Sequence, residues 1–286
     1  MYIWIFVIAL ILIGLYILDR EIYFYEGTRL SPRVQAWLYD HWAKKYDDGK
    51  QESQLHDAEM LARPTLDALK NIDQPLILDL ATGSGRLPLA LLNEPPFNGH
   101  VIAVDISKGM LEQAALKLDA HRGRFTLLRV IGYPLPFPDN SFDMVACMEA
   151  LEVMPEMDSP LNELFRILRP GGFFLTSHAT DASGRKSKVI TREEFRATLE
   201  KKGFEKVDIV SWWRWFDRVR AWKPGLETTA QYHSLTDVLL CPSCGKPEFE
   251  KSDNALKCRN CGESIEVTRK ALSLCEGAHN VRLVQT

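Results

Sequence analysis

Ile77-Leu78-Asp79-Leu80-Ala81-Thr82-Gly83-Ser84-Gly85 is an apolar run that breaks into a glycine turn, and it decides the fold of this 286-residue chain. Pro75 to Leu80 reads as a short buried strand, the glycines let the backbone turn tightly beside a ligand, and Arg86 to Leu92 has the composition of the following helix. Downstream, Val101-Ile102-Ala103-Val104-Asp105 reads as a second buried strand. It ends in a carboxylate placed to accept hydrogen bonds from a ribose diol. Together these segments form a nucleotide-cofactor cradle, a geometry that serves NAD and S-adenosylmethionine alike. The dinucleotide fingerprint wants a third small residue three positions after Gly85, where helix packs on strand. This chain has Pro88 there, which makes NAD the weaker reading.

Further motifs move the choice to S-adenosylmethionine. Asp79 opens the glycine motif, and Asp105-Ile106-Ser107-Lys108-Gly109-Met110-Leu111 follows the second strand. Leu135-Pro136-Phe137-Pro138-Asp139-Asn140-Ser141-Phe142-Asp143-Met144-Val145 leads into a fourth strand, and Leu168-Arg169-Pro170-Gly171-Gly172-Phe173-Phe174-Leu175 into a fifth. In this order the motifs resemble class I methyltransferases, the group that includes quinone C-methyltransferases. The resemblance implies a Rossmann-like, doubly wound, mostly parallel seven-stranded α/β sheet and an S-adenosylmethionine cofactor held by Asp79, Ala81, Gly83, Gly85, Asp105, Ile106, Ile131 and Gly132. Two positions depart from the pattern. Ala81 stands where glycine is usual, and Ile131-Gly132 replaces the Asp-Ala pair that commonly bonds the adenine amino group.

A formal net charge of −3 gives no chain-wide positive field to attract nucleic acid. The apolar residues are unevenly spread, and Met1 to Leu18 holds no charged side chain. As a helix this segment is about 27 Å long, enough for a thin hydrocarbon core, and it reads as a single transmembrane anchor. A cleaved signal peptide and a buried core helix are the alternatives. No Lys or Arg precedes the run and Asp19-Arg20-Glu21 follows it, which is unlike a signal peptide. Arg20, Arg29 and Arg33 follow the span, so the positive-inside rule places the body of the protein in the cytoplasm.

Ser31-Pro32 is a good helix start, and Val34, Trp37, Leu38, His41 and Trp42 recur on one face, predicting an amphipathic helix from Pro32 to about Lys45. It reads either as a lid on the catalytic domain or as a helix lying along the membrane interface, with the lid preferred. By resemblance, Trp42-Ala43-Lys44-Lys45-Tyr46-Asp47 brings an aromatic residue over the cofactor, which makes Tyr46 a candidate contact.

Strands are predicted at Leu76 to Leu80, Val101 to Asp105, Phe125 to Arg129, Phe142 to Met148, Gly172 to Ser177, Lys206 to Ser211 and Phe216 to Lys223, the last antiparallel as the resemblance implies. A helix is predicted from Thr191 to Lys202. Trp212, Trp213, Trp215 and Trp222 alternate with Arg214, Arg218 and Arg220. That pattern fits a hairpin packed through its aromatic face, and alternatively a membrane or single-stranded nucleic-acid surface. Glu149 and His178 leave the carboxyl ends of the fourth and fifth strands, where a general base would sit. No base is required, because the sulfonium carries an activated methyl group and alignment in a dry site supplies much of the rate.

Cys241-Pro242-Ser243-Cys244 and Cys258-Arg259-Asn260-Cys261 are two CxxC knuckles separated by 13 residues, each followed by glycine. Four thiolates suit a structural zinc ion, and disulfides are disfavoured in the cytoplasm. The ribbon resembles, at Leu239-Leu240-Cys241-Pro242-Ser243-Cys244, the small zinc-ribbon partner that activates several translation-related methyltransferases. The likeness fades at Ile265-Glu266 and at Lys270-Ala271-Leu272, and Cys147 and Cys275 read as ordinary thiols. Charges beyond Gly225 nearly cancel, which favours a protein contact, or self-contact with the catalytic domain, over RNA.

The expected organisation is a transmembrane helix (1–18), a connector and lid (19–50), a methyltransferase domain (51–224), a linker (225–234), a zinc ribbon (235–274) and a tail (275–286). The expected function is methyl transfer from S-adenosylmethionine to a hydrophobic small molecule, a quinone or lipid, at the cytoplasmic membrane face. The alternatives are a non-catalytic membrane scaffold that binds protein through its ribbon, a methyltransferase acting on RNA or protein, and a nicotinamide oxidoreductase.

Overall fold

The computed structural model describes residues 2–27, 31–181, 189–226, 232–252, 255–268, 273–274 and 281–284. Arg29, Lys270-Ala271-Leu272 and Cys275 lie outside them.

Helix α1 (Tyr2–Asp19) continues through a wider, π-helical turn over Arg20–Phe24. Its segment Ile3–Tyr23 is long and apolar enough to cross a membrane, with a mean hydropathy of 2.2, and none of it is buried against the rest of the chain. Helix α2 (Pro32–Trp42) begins where expected. The Ser31 hydroxyl accepts from the Val34 N–H, and Pro32 takes the first helical position, whose N–H would be unpaired in any case. Over Ala43–Lys45 it tightens into a 3-10 turn.

The predicted apolar stripe on α2 is split. Leu38 is buried, whereas Val34 and Trp37 are 38% and 55% exposed. Polar bonds decide which side faces inward: the Gln35 amide donates to the Val153 carbonyl at 2.6 Å, and Asp40 accepts from the Ser107 hydroxyl and the Gly109 N–H at 2.6 and 2.7 Å.

Short helices α3 (Gln51–Gln54) and α4 (Arg63–Leu69) lead into the sheet. Strands β1 (Leu76–Leu80), β2 (His100–Asp105), β3 (Phe125–Val130), β4 (Phe142–Cys147), β5 (Leu168–Ala179), β6 (Glu205–Trp213) and β7 (Phe216–Trp222) run in the order β3-β2-β1-β4-β5-β7-β6. The first five are parallel, with Ile77 facing Val101 on one side and Met144 on the other, and β7 runs antiparallel to both β5 and β6. β5 starts at Leu168 rather than Gly172, because Leu168 already pairs with Phe142 before the register shifts.

Helices α5 (Arg86–Leu92), α6 (Lys108–Lys117), α7 (Asp158–Ile167) and α8 (Arg192–Lys201) are the connections that cover the sheet. Alternate residues on one strand serve opposite cores. Leu76, Leu78 and Leu80 pack with Phe142, Phe174 and the α7 and α8 side chains, while Ile77 packs with Leu87, Leu91 and Leu111 of α5 and α6. A sheet buried on both faces needs continuous apolar strands, and β1, β2 and β4 are such runs.

The C-terminal region adds α9 (Leu235–Val238) and strands β8 (Phe249–Ser252), β9 (Ala255–Cys258), β10 (Ser264–Thr268), β11 (Ser273–Leu274) and β12 (Val281–Val284). β12 pairs antiparallel with β3 and parallel with β10, carrying the sheet beyond seven strands through a stretch read from sequence as a tail. Leu235, Val238, Leu239, Leu256 and Ile265 share the first core with the sheet, and the Leu240 N–H donates to the Pro136 carbonyl at 2.8 Å.

Candidate active site

The strand order reverses between β1 and β4, and the crevice beyond their carboxyl ends is where open α/β sheets take ligands. A cavity of about 300 Å³ opens there. At its floor the β1 turn is held in conformations that favour glycine: Gly83 has φ +56° and Gly85 φ +81°. A side chain at Gly85 would also meet the Ala114 Cβ at 3.1 Å, so this glycine lets α5 approach α6. Ala81 sits at φ +58°, where an L side chain is strained by about 1 kcal/mol.

Two buried carboxylates face the turn. Asp105 accepts from the Gly83 N–H and from the Ser107 N–H, both at 2.8 Å, and burial pushes its carboxyl up to about 6. Asp79 is 2% exposed, its Oδ1 has no hydrogen-bond partner among the described residues, and burial pushes its carboxyl up to about 7. A buried acceptor without a donor costs folding energy, and a cationic ligand would relieve that cost.

The charged corner beside this turn joins the candidates Tyr46 and Glu149 to residues that sequence reading missed, Lys50, Asp57, Arg86 and Lys117. The Arg86 guanidinium pairs with Asp57 at 2.7 Å and Glu149 at 2.5 Å and lies 4.8 Å over the Trp212 ring. Lys50 reaches Glu149 at 3.0 Å and the Tyr46 hydroxyl at 2.8 Å. Asp47 accepts from Ser84 and pairs with Lys117 at 2.6 Å. Burial works against the Asp47 charge, but these donors hold its carboxyl below the usual range. Arg86 had one legible signal, its place directly after Gly85; Lys50 and Lys117 had none.

Of the candidate contacts, Ala81, Gly83, Asp105, Ile106, Gly132 and Tyr46 line the main cavity, and Asp79 lines the smaller recess behind it. Gly85 shapes the turn, and Ile131 does not line the cavity. Tyr133, one residue beyond Gly132, does so in its place. Tyr39, Gln35 and Pro32 of α2 line the opposite side, so this helix roofs the cavity. Met148, Ala150, Val153, Met154 and Pro155 add apolar lining, with Glu149 and Glu156 among them.

The two candidate bases are placed differently. Glu149 lines the cavity, but its carboxylate is held by two cations. His178 does not line it: Nδ1 meets Asp217 at 3.0 Å and Nε2 meets the Ile190 carbonyl at 2.7 Å, with Asp217 also held by Arg192. A ring with both nitrogens engaged away from the cavity is a brace for β5 and β7.

The tryptophan and arginine cluster is divided between core and surface, with Trp215 48% and the Arg214 side chain 64% exposed. Trp212 and Arg218 are buried, Arg218 donates to the Met60 carbonyl, Arg214 meets Glu52 and Arg220 meets Asp208.

The four knuckle sulfurs, Cys241, Cys244, Cys258 and Cys261, lie within 4.8 Å of one another, with two pairs at 3.6 Å. Tetrahedral bonds of 2.3 Å to a metal would set sulfurs about 3.8 Å apart, so the group fits a four-thiolate site. Gly245 (φ +70°) and Gly262 (φ +79°) make the turns that close each knuckle, donating to the Cys241 and Cys258 carbonyls.

Comparison with known proteins agrees with the fold. Residues 77–172 match the model of a methyltransferase domain. A demethylmenaquinone methyltransferase of Symbiobacterium thermophilum is 33% identical over 150 residues, 52% of this chain and 60% of that one. A ubiquinone/menaquinone biosynthesis C-methyltransferase of Geobacter sulfurreducens is 26% identical over 156 residues, 54% of this chain and 60% of that one. The chain thus spans about 60% of the length of these curated relatives. Among solved structures, an S-adenosylmethionine-dependent methyltransferase from Aquifex aeolicus superimposes with a TM-score of 0.52 at 21% identity, over 64% of this chain and 97% of that one. Residues 77–172 thus resemble a methyltransferase domain, and the chain has a Rossmann-like α/β fold with a mostly parallel seven-stranded sheet.

Proposed function

We propose that the chain transfers the methyl group of S-adenosylmethionine to a hydrophobic small molecule of the quinone or lipid class, at the cytoplasmic face of a membrane crossed by Ile3–Tyr23. The observation that carries this reading is the mixed lining of the cavity: the glycine turn with Asp79 and Asp105 suits a cationic nucleoside ligand, and the apolar side chains of Val153, Met154 and Pro155 suit a greasy acceptor. The quinone methyltransferase names of the relatives support the same class of acceptor.

In this reading Asp79 binds the ammonium group, Asp105 the ribose hydroxyls, and Ile106, Met110, Val130 and Gly132 enclose the base. The bound cofactor supplies a methyl group on sulfonium sulfur. Transfer of that methyl would leave the cofactor's sulfur as a neutral thioether and would pass the acceptor's proton to water at the cavity mouth. The chain's contribution is alignment and exclusion of water by the α2 roof, which reduces the need for a dedicated base. The four cysteines hold zinc, which organises a ribbon too small to bury a core of its own.

Incubating the reconstituted protein with lipid extracts and methyl-labelled cofactor tests the acceptor. Label in the organic-soluble quinone or lipid fraction is expected; label confined to RNA or protein would overturn the reading.

A further inference from the structure

We infer that helix α2 is an interfacial helix, seated by its outer face on an anionic bilayer surface while its inner face roofs the cofactor cavity. The inference rests on the proposal that Ile3–Tyr23 spans the membrane and adds to it a second, independent lipid contact.

At 3.6 residues per turn, Gln35, Leu38, Tyr39 and Trp42 fall on one side of α2, and Val34, Trp37, His41 and Lys44 on the other. The first set faces the protein: Gln35 and Leu38 are buried, and Tyr39 lines the cavity. On the second set Trp37 is 55% exposed, with its ring 4.2 Å from His41 and no partner ring beyond it among the described residues. Arg33, Lys44 and Lys45 flank it and are exposed. An exposed tryptophan ringed by basic side chains on an amphipathic helix is the pattern that lies in the headgroup layer.

The junction with the span sets α2 beside the membrane boundary, leaving its Trp37 face as the one open to lipid. Tyr23, the last residue of the apolar segment, stacks on Trp42 with ring centroids 6.3 Å apart, and the Tyr39 hydroxyl donates to Glu26 at 2.6 Å. Tyr23 itself is 69% exposed. A span that ends against α2 leaves this helix at the membrane boundary. An α-helix with side chains is about 10 Å across, so the cavity it roofs lies within one helix diameter of the headgroups. A bilayer-borne acceptor then reaches the cofactor without leaving the surface, and lipid packing on Trp37 presses the roof closed.

The test uses the full chain in nanodiscs containing phosphatidylglycerol, with lipids brominated just below the headgroup or at mid-chain, and the variants Trp37→Phe and Trp4→Phe. Trp37→Phe is expected to remove part of the tryptophan emission quenched by the shallow bromines, and Trp4→Phe another part of it, because Trp4 sits at the far end of the span. If Trp4→Phe changes the quenched emission and Trp37→Phe changes only emission that no brominated lipid quenches, the span stands and the interfacial helix is refuted. If neither variant alters lipid quenching, the span reading falls and takes this inference with it.

Discussion

Replacing Asp79 by asparagine should stabilise the empty protein while weakening cofactor binding, and the size of each effect follows from the buried carboxyl. In the folded chain burial pushes its pKa up to about 7, well above the ordinary carboxylate value of about 4. The folded state therefore holds a proton more tightly than the unfolded state between those values, and stability falls as pH rises through that window. At pH 8 the full cost is present, about 4 kcal/mol from some three units at 1.36 kcal/mol each. Asparagine cannot ionise and removes that cost, but an amide with no partner gives back about 1–3 kcal/mol, leaving a net gain of about 1–3 kcal/mol. In calorimetry at pH 8 the variant should melt several degrees higher, with little gain near pH 4. The same carboxylate, once ionised, should pair with the cofactor's ammonium group. Removing a charged hydrogen bond of about 1.5–3 kcal/mol should weaken S-adenosylmethionine binding by roughly 10- to 150-fold. Wild-type affinity should fall about tenfold from pH 8 to pH 6, because a group of pKa about 7 goes from mostly ionised to mostly protonated. A variant less stable than wild type at pH 8, or one with unchanged cofactor affinity, would refute this account of Asp79.

Glu149→Gln removes the shared anion between Arg86 and Lys50, and cofactor affinity measured by calorimetry should drop about tenfold as those buried cations lose their partner. A drop in turnover with affinity unchanged would instead make Glu149 a base. Gly109→Ala places a Cβ 3.0 Å from the Asp40 backbone, so amides of residues 32–46 should exchange faster than in wild type as the roof lifts. Unchanged protection there would show that α2 tolerates the contact. Cys258→Ser should remove about one zinc per chain by elemental analysis and raise exchange over α9 and residues 255–265, with protection unchanged as the contrary result. Ala81→Gly relieves the strained turn at the expense of a freer unfolded chain, so the melting temperature should shift by no more than a few degrees.

The central sheet was legible because buried parallel strands are short apolar runs between glycine-rich breaks, a pattern that Leu76 to Leu80 and Val101 to Asp105 display openly. Their carboxyl ends then located Asp79 and Asp105. The roof was only half legible: Ser31-Pro32 marks the start of α2, yet its inward face is chosen by Gln35 and Asp40, polar residues whose partners Val153, Ser107 and Gly109 lie far away in sequence. The charged corner was only partly legible: Glu149 stood out after the fourth strand and Arg86 beside the glycine turn, but their pairing with each other and with Lys50 is made only by the folded loops. His178 shows the converse error, because a strand-end position says nothing about which way a ring points until Asp217 and Ile190 are seen to occupy it. The pairing of Val281–Val284 with β3 likewise depends on an open sheet edge that no local pattern announces.

The most direct measurement is a calorimetric titration of the folded, zinc-loaded chain with S-adenosylmethionine at pH 8. One saturable site per chain is predicted, lost in Asp105→Asn and absent with NAD. No heat of binding at millimolar cofactor would contradict the account. Ile131, at the position where a relative's acid would meet adenine, would then mark a fold that has become a scaffold.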